Sequence, residues 1–338
     1  MTTQEAGYKR ADFQTDQEVR WCPGCGDYTI LASVQSFLAT LDIEREKHVF
    51  VSGIGCASRF PYYMNTYGMH SIHGRAPAIA SGVAAANPDL TVWVITGDGD
   101  SLSIGGNHLI HAMRRNVNIK ILLFNNQIYG LTKGQYSPTS EVGKLTKTSP
   151  MGSIDYPFNP ISVVLGAEAT FVARTIDMDR KHTTAMLQEA HEHKGAAFVE
   201  IYQNCNVFND KAFLSLTGRE ERDANRIYLE DGQPILFGMD HEFGVSLTPA
   251  GARIVKVADV GMDAIHVHQP SNPDPSLAFA LSRLAHGPNG PTPIGVFRKV
   301  ERDDYGEMMG AQLDAAVEKR GPGDLAKLLT SAGTWTVD

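Results

Sequence analysis

Two strand-like runs end in residues suited to holding one hard cation. Gly97-Asp98-Gly99 closes the apolar run Thr91 to Thr96, and Asn125-Asn126 closes the run Ile119 to Phe124, with twenty-five residues between Gly99 and Asn125. Mg²⁺ takes near-octahedral oxygen ligands, one or two from protein and the rest from phosphate and water. A carboxylate at Asp98 and an amide oxygen at Asn126 supply two of those positions. Gly97 and Gly99 let the backbone approach a diphosphate with no β-carbon in the way. Taken singly, Gly-Asp-Gly is a tight turn and Asn-Asn a loop. Paired at the ends of two β-rich runs, they point to a cation and a diphosphate held at one edge of an α/β sheet.

The chain has four cysteines, Cys22, Cys25, Cys56 and Cys205. The first two form the turn Trp21-Cys22-Pro23-Gly24-Cys25-Gly26, Cys56 follows the run His48 to Gly55, and Cys205 follows Ala196 to Asn204. None lies in an apolar helix interior, where an inert core thiol is expected. Two disulfides are one reading, but no signal peptide is visible and a large core needs no staples. A thioredoxin-type pair at Cys22 and Cys25 leaves the other two unexplained. Tetrahedral zinc takes four thiolates, more often from two Cys-x-x-Cys knuckles. One knuckle plus two distant cysteines also suits a [4Fe–4S] cluster. Spacing puts iron–sulfur ahead of zinc while leaving both open.

Four strand-like runs therefore end at Cys56, Asp98, Asn125-Asn126 and Cys205. In an open parallel α/β sheet, ligands gather at the carboxyl ends of the strands. The expected fold is thus α/β, an open and mostly parallel sheet with helices on both faces, with the cation and cysteine sites on one edge.

These segments resemble the β subunit of 2-oxoacid:ferredoxin oxidoreductases, most closely the 2-oxoglutarate (2-oxoglutarate synthase) branch. The matching motifs are Cys22-Pro23-Gly24-Cys25-Gly26, Gly53-Ile54-Gly55-Cys56-Ala57-Ser58-Arg59, His73-Gly74-Arg75-Ala76, Gly97-Asp98-Gly99-Asp100, Asn125 to Gln135 and Cys205. They run in the family's order from about residue 20 to 210, with weaker similarity at Asp231 to Phe237 and Gly295 to Arg298. One departure is Gln203-Asn204-Cys205-Asn206, where relatives often have proline before the cysteine.

The resemblance implies a thiamine diphosphate-binding fold of the pyrophosphate type with a C-terminal extension. It implies Mg²⁺ on Asp98, Asn126 and the Ile128 carbonyl, and a [4Fe–4S] cluster on Cys22, Cys25, Cys56 and Cys205. It places Ile54, Gly55, Cys56, Ala57, His73, Gly97, Gly99, Asp100, Asn126, Gly130 and Leu131 against thiamine diphosphate. His73, Arg59 and Lys133 become the expected catalytic residues, with the two cations lining a substrate pocket that can meet a second carboxylate. Otherwise both are surface cations. The implied reaction converts 2-oxoglutarate and CoA to succinyl-CoA and CO₂, reversibly, passing electrons to ferredoxin. Pyruvate or another 2-oxoacid is the alternative substrate, and a non-redox thiamine diphosphate subunit with structural zinc the alternative class. A cluster-bearing electron-transfer subunit with a vestigial diphosphate site is a third. The glutamate that activates thiamine diphosphate comes from a separate pyrimidine-binding domain, which this length leaves no room for. An α subunit is therefore expected, in an αβ or α₂β₂ assembly.

At 338 residues, with 42% apolar and 20% charged residues, the chain reads as a well-buried globular protein. Acids exceed bases, 38 against 30, which argues against nucleic acid as a partner. No run reaches the roughly eighteen apolar residues of a membrane span, and the expected setting is the cytoplasm. Residues 1–19 read as a polar arm, 20–210 as the cofactor and cysteine domain, and 211–338 as an extension packing on the core and the partner subunit. Helices are expected over 26–41, Ala78 to Ala85, Ser103 to Arg115 and Asp177 to His193, and a further one from Pro275. Residues 133–153 read as a loop long enough to be functional. Residues 209–232 are expected to be irregular, 263–268 and 294–297 strands, and 287–293 a loop. His191-Glu192-His193 and His266-Val267-His268 read as a solvated helix end and one face of a strand, not as metal sites.

Overall fold

The central strands carry apolar residues on both faces, as strands covered by helices above and below must. The structure is a computed structural model; it describes residues 7–249, 251–284 and 290–337. Seven strands come first: β1 (His48–Ser52), β2 (Tyr67–His70), β3 (Thr91–Gly97), β4 (Lys120–Asn125), β5 (Phe171–Ile176), β6 (Ala197–Tyr202) and β7 (Arg226–Leu229). A small antiparallel sheet follows from β8 (Leu236–Phe237), β9 (Phe243–Thr248) and β10 (Gly251–Lys256). Then β11 (Thr292–Lys299) returns to the main sheet, whose order is β2-β1-β3-β4-β6-β5-β11-β7. Every neighbouring pair in it is parallel except β5 with β11.

Alternation divides the strands between two cores. Val92, Val94, Ile121, Leu123, Val172 and Phe198 face one core, while Trp93, Ile95, Leu122, Phe124, Ala173 and Val199 face the other. Helix α1 (Asp27–Leu38) buries Ile30, Leu31, Val34, Phe37 and Leu38 in the aromatic core. On the opposite face lie α2 (Ala76–Ala86), α4 (Gly106–Arg115) and α5 (Pro160–Gly166), with α3 (Asp98–Leu102) just ahead of α4. Helix α6 (Arg180–Glu192) packs beside α1. The small-residue face of α2, Ala76, Ala80 and Ala84, lets it lie close to the sheet.

Several element boundaries differ from the sequence reading. The helix expected from Ser103 is broken: α3 starts at Asp98 itself, Ser103 leaves helical geometry, and α4 resumes after Gly105. The helix expected from Asp177 starts at Arg180, because Asp179 caps it by accepting from His182 N at 3.1 Å. Residues 209–232 are only partly irregular. They form the short helices Leu214–Thr217 and Arg222–Asn225 and strand β7, in which buried Arg226 pairs with Asp179 at 2.8 Å. The strand expected at 263–268 is absent: Met262–Ala264 is a 3₁₀ turn, and only Val267 bridges, to Pro234. Of the loop expected at 287–293, residues 287–289 lie outside the described residues, and Thr292 already begins β11.

Of the N-terminal arm, residues 1–6 lie outside the described residues; Phe13 is wholly buried, edge-on to His48. At the other end, none of residues 305–337 is buried, although they include helices Tyr305–Arg320 and Leu325–Thr330.

Candidate functional site

Strands β1, β3, β4 and β6 are consecutive and parallel in the sheet. Their carboxyl ends therefore line up. Cys56 follows β1, Asp98 follows β3, Asn125 ends β4, and Cys205 follows β6. One edge carries both sets of residues.

Asp98 is buried, and burial pushes its carboxyl up to about 6. Two hydroxyls from the 133–153 loop soften that cost, Ser137 Oγ at 2.5 Å and Thr139 Oγ1 at 2.7 Å from Asp98 Oδ2. Sequence reasoning did not single out Ser137 or Thr139. Asn126 Oδ1 accepts from Ile128 N at 3.2 Å, an Asx turn that aims the amide, and Asn126 Nδ2 donates to Gln203 Oε1 at 2.9 Å. Gln127 holds φ +56°, which turns the chain sharply after Asn126. No described residue donates to the Ile128 carbonyl. A buried carboxylate, an amide oxygen and a free carbonyl fit a hard cation, whose charge would offset the burial of Asp98. The second glycine of Gly97-Asp98-Gly99 has a packing reason too. A β-carbon on Gly99 would lie 2.1 Å from the Tyr129 ring, whose hydroxyl donates to the Gly99 carbonyl at 3.1 Å.

Asp100 sits at a crossing of three segments. Its Oδ1 accepts from Ile54 N at 3.0 Å, Gly74 N at 2.8 Å and His73 Nδ1 at 2.5 Å, and its Oδ2 from Thr96 Oγ1 at 2.7 Å. The side chain is fully enclosed, while His73 is partly open. Asp100 thus fixes the Ile54 turn and the His73 turn against β3, leaving Nε2 as the free ring nitrogen of His73. Gly55, at φ +119°, takes a conformation that a side chain would strain, and Ala57 begins the 3₁₀ turn Ala57–Tyr63.

All four cysteines are free thiols. Backbone and side-chain ties bring their three segments together. Cys25 N donates to Cys22 O at 3.1 Å, Gly26 N to Asn204 O at 3.1 Å, Asn206 Nδ2 to Pro23 O at 2.6 Å, and Trp21 Nε1 to Cys56 O at 2.7 Å. A β-carbon on Gly130 would stand 3.5 Å from Cys56 Sγ and 3.7 Å from Cys205 Sγ, so both sulfurs face the turn that follows Asn126. Burial pushes the Cys25 thiol up, and it pushes Cys56 up to about 12. A bound metal centre would hold such groups as thiolates.

Lys133 and Leu131 are exposed beyond Gly130, and Lys133 adopts φ +76°. Arg59 is half-buried and donates to Arg20 O at 3.2 Å. Neither cation has a carboxylate partner among the described residues. The two histidine pairs lie elsewhere, and the structure corrects their surroundings. His193 is buried rather than solvated, its Nε2 2.8 Å from Thr170 Oγ1, and His191 stacks on Trp93. His268 is buried off any named strand, its Nε2 donating to Val296 O at 2.7 Å.

Fold and edge together define a thiamine diphosphate enzyme domain: residues 53–201 match the family described as thiamine pyrophosphate enzyme, C-terminal TPP binding domain. The 2-oxoglutarate oxidoreductase subunit KorB of Mycobacterium tuberculosis is 56% identical over 340 residues, covering 99% of this chain and 90% of that one. The 2-oxoacid:ferredoxin oxidoreductase 1, subunit beta, of Aeropyrum pernix is 43% identical over 200 residues, 59% of this chain and 63% of its own. A solved 2-oxoglutarate:ferredoxin oxidoreductase from Magnetococcus marinus, holding 2-oxoglutarate, coenzyme A and succinyl-CoA, superposes with a TM-score of 0.77 at 32% identity over 98% of both chains. The chain belongs to the β subunits of the 2-oxoacid:ferredoxin oxidoreductases, and is an oxidoreductase subunit.

Proposed function

We propose that this chain is the cofactor- and cluster-carrying subunit of a CoA-dependent 2-oxoglutarate:ferredoxin oxidoreductase. The reaction converts 2-oxoglutarate and CoA to succinyl-CoA and CO₂, with two electrons leaving singly through a [4Fe–4S] cluster to ferredoxin, and it is reversible. One observation carries the reading: the turn that begins with the cation donor Asn126 continues into Gly130, which faces the sulfurs of Cys56 and Cys205. A diphosphate cofactor and an electron acceptor held there would be neighbours.

Bound thiamine diphosphate supplies an electron sink for decarboxylation. Asp98, Asn126 and the Ile128 carbonyl hold its Mg²⁺, and Cys22, Cys25, Cys56 and Cys205 hold the cluster. Ile54 to Ala57, Gly97, Gly99, Asp100, Gly130 and Leu131 shape the cofactor cradle. His73, held through Nδ1 by Asp100, offers Nε2 to the reacting end. Lys133 and Arg59 offer positive charge to the second carboxylate of 2-oxoglutarate, the substrate recorded for the Magnetococcus relative. A [4Fe–4S] cluster is favoured over zinc. One Cys-x-x-Cys knuckle with two distant single cysteines suits a cluster, whereas zinc sites more often use two such knuckles.

The activating glutamate comes from an α subunit, in an αβ or α₂β₂ assembly. Co-purified with that partner, the enzyme reduces ferredoxin only when 2-oxoglutarate and CoA are both present, and the isolated chain does so slowly or not at all. CO₂ release without ferredoxin reduction would place it among non-redox thiamine diphosphate enzymes. Full turnover by the isolated chain would remove the need for the α subunit.

A further inference from the structure

Gln203 touches both proposed centres. It follows β6, its side chain is buried, and its backbone N donates to Asn125 O at 3.0 Å. Its Oε1 accepts from Asn126 Nδ2 at 2.9 Å. Its Nε2 donates to Cys25 Sγ at 3.2 Å and to Asn204 O at 2.6 Å. One amide therefore spans a cation ligand and a cysteine ligand, using its oxygen toward one and its nitrogen toward the other.

Resting on the function proposed above, we propose that Gln203 is a positioning residue shared by the two centres, orienting the Asn126 amide toward Mg²⁺ and donating a hydrogen bond to the cluster ligand Cys25. An asparagine side chain has two faces, and only one presents oxygen to a cation. Gln203 Oε1 holds the NH₂ side, which leaves Oδ1 for the metal; the Asx bond from Ile128 N supports the same orientation. At the other end, an N–H directed at a ligating sulfur disperses its negative charge. That favours the reduced, more negative cluster and raises its potential.

Two variants separate the halves. Gln203→Met keeps bulk and loses both contacts. Gln203→Glu keeps an acceptor for Asn126 but takes the donor from the sulfur. An ionised carboxylate has no hydrogen to give. A protonated one has a single O–H, which the nearer Asn204 carbonyl takes. Each is purified without oxygen with its partner subunit, and iron content, Mg²⁺-dependent thiamine diphosphate affinity and cluster potential are measured. In Gln203→Met, affinity falls roughly 10–100-fold, the usual cost of losing a group that orients a ligand. Its potential becomes more negative; a tenfold loss in the equilibrium constant for reduction reads as about 59 mV for one electron. In Gln203→Glu, affinity stays close to wild type while the potential still falls.

Unchanged potentials in both variants would overturn the sulfur half, and unchanged affinity in Gln203→Met the amide half. Joint loss of iron, affinity and thermal stability in both variants would reduce Gln203 to a packing role and overturn the proposal. Iron-free wild type would instead overturn the proposed function itself.

Discussion

Lys133 holds a left-handed backbone angle that costs a non-glycine residue energy and is retained mainly where surrounding structure fixes it. It stands three residues after Gly130, exposed, with no described carboxylate to neutralise it. That is a suitable position for a substrate carboxylate. Replacing it by Lys133→Ile should lower kcat/KM for 2-oxoglutarate relative to pyruvate by roughly 10–150-fold, the loss of one hydrogen bond to a charged group at about 1.5–3 kcal/mol. An unchanged ratio would return Lys133 to the surface. Cys22, Cys25 and Asp98 were legible because each lies in a short motif, Cys22-Pro23-Gly24-Cys25 or Gly97-Asp98-Gly99. Ser137, Thr139 and Gln203 were not, since each meets its partner only after a long loop or strand has folded back. The length and Ser/Thr content of residues 133–153 were the only signal.

Strands β5 and β6 pair in register with Arg174 opposite Glu200, and the two side chains meet at 2.7 Å with almost no exposure. Glu200 Oε1 also accepts from Asn125 Nδ2 at 2.7 Å, and Asn125 Oδ1 lies 2.9 Å from the Thr139 hydroxyl beside Asp98. The pair thus supports the end of β4 on which Asn126 sits. Arg174→Met strands a buried carboxylate and should cost about 3–5 kcal/mol in urea unfolding. A loss under about 1 kcal/mol would show that the charge is relieved in another way. At the head of β1, His48 is wholly buried with neither ring nitrogen hydrogen-bonded, and burial lowers its pKa to about 4, with a smaller push from His191. Burial also lowers His193 to about 4. Between about pH 4 and 6.5 the unfolded chain binds more protons at these sites than the folded one, so stability should rise with pH across that window and level off above it. His48→Leu should remove up to about 1.4 kcal/mol per pH unit of that slope; an unaltered slope would show that His48 does not titrate between the two states. The 209–232 segment escaped sequence reading in part because its one buried charge, Arg226, pairs with distant Asp179, which composition cannot reveal.

Strands β1, β3, β4 and β6 were legible because each is a run of apolar residues ending in ligand-type side chains, and β11 in part from its run at 294–297; β2, β5 and β7 carried no such signal. Residues 305–337 were not legible, because their apolar side chains, Leu313, Val317, Leu328 and Trp335 among them, contribute to no core of this chain. No helix of the described residues is long and apolar enough to cross a membrane. The proposed reaction needs one sheet edge to hold an electron acceptor beside a diphosphate cofactor. Metal and sulfide analysis of the chain, purified without oxygen with its partner subunit, tests this. About four irons per chain with matching acid-labile sulfide and a broad absorption near 400 nm are expected of a [4Fe–4S] cluster on these cysteines. Zinc with no iron would remove the electron path and contradict the account.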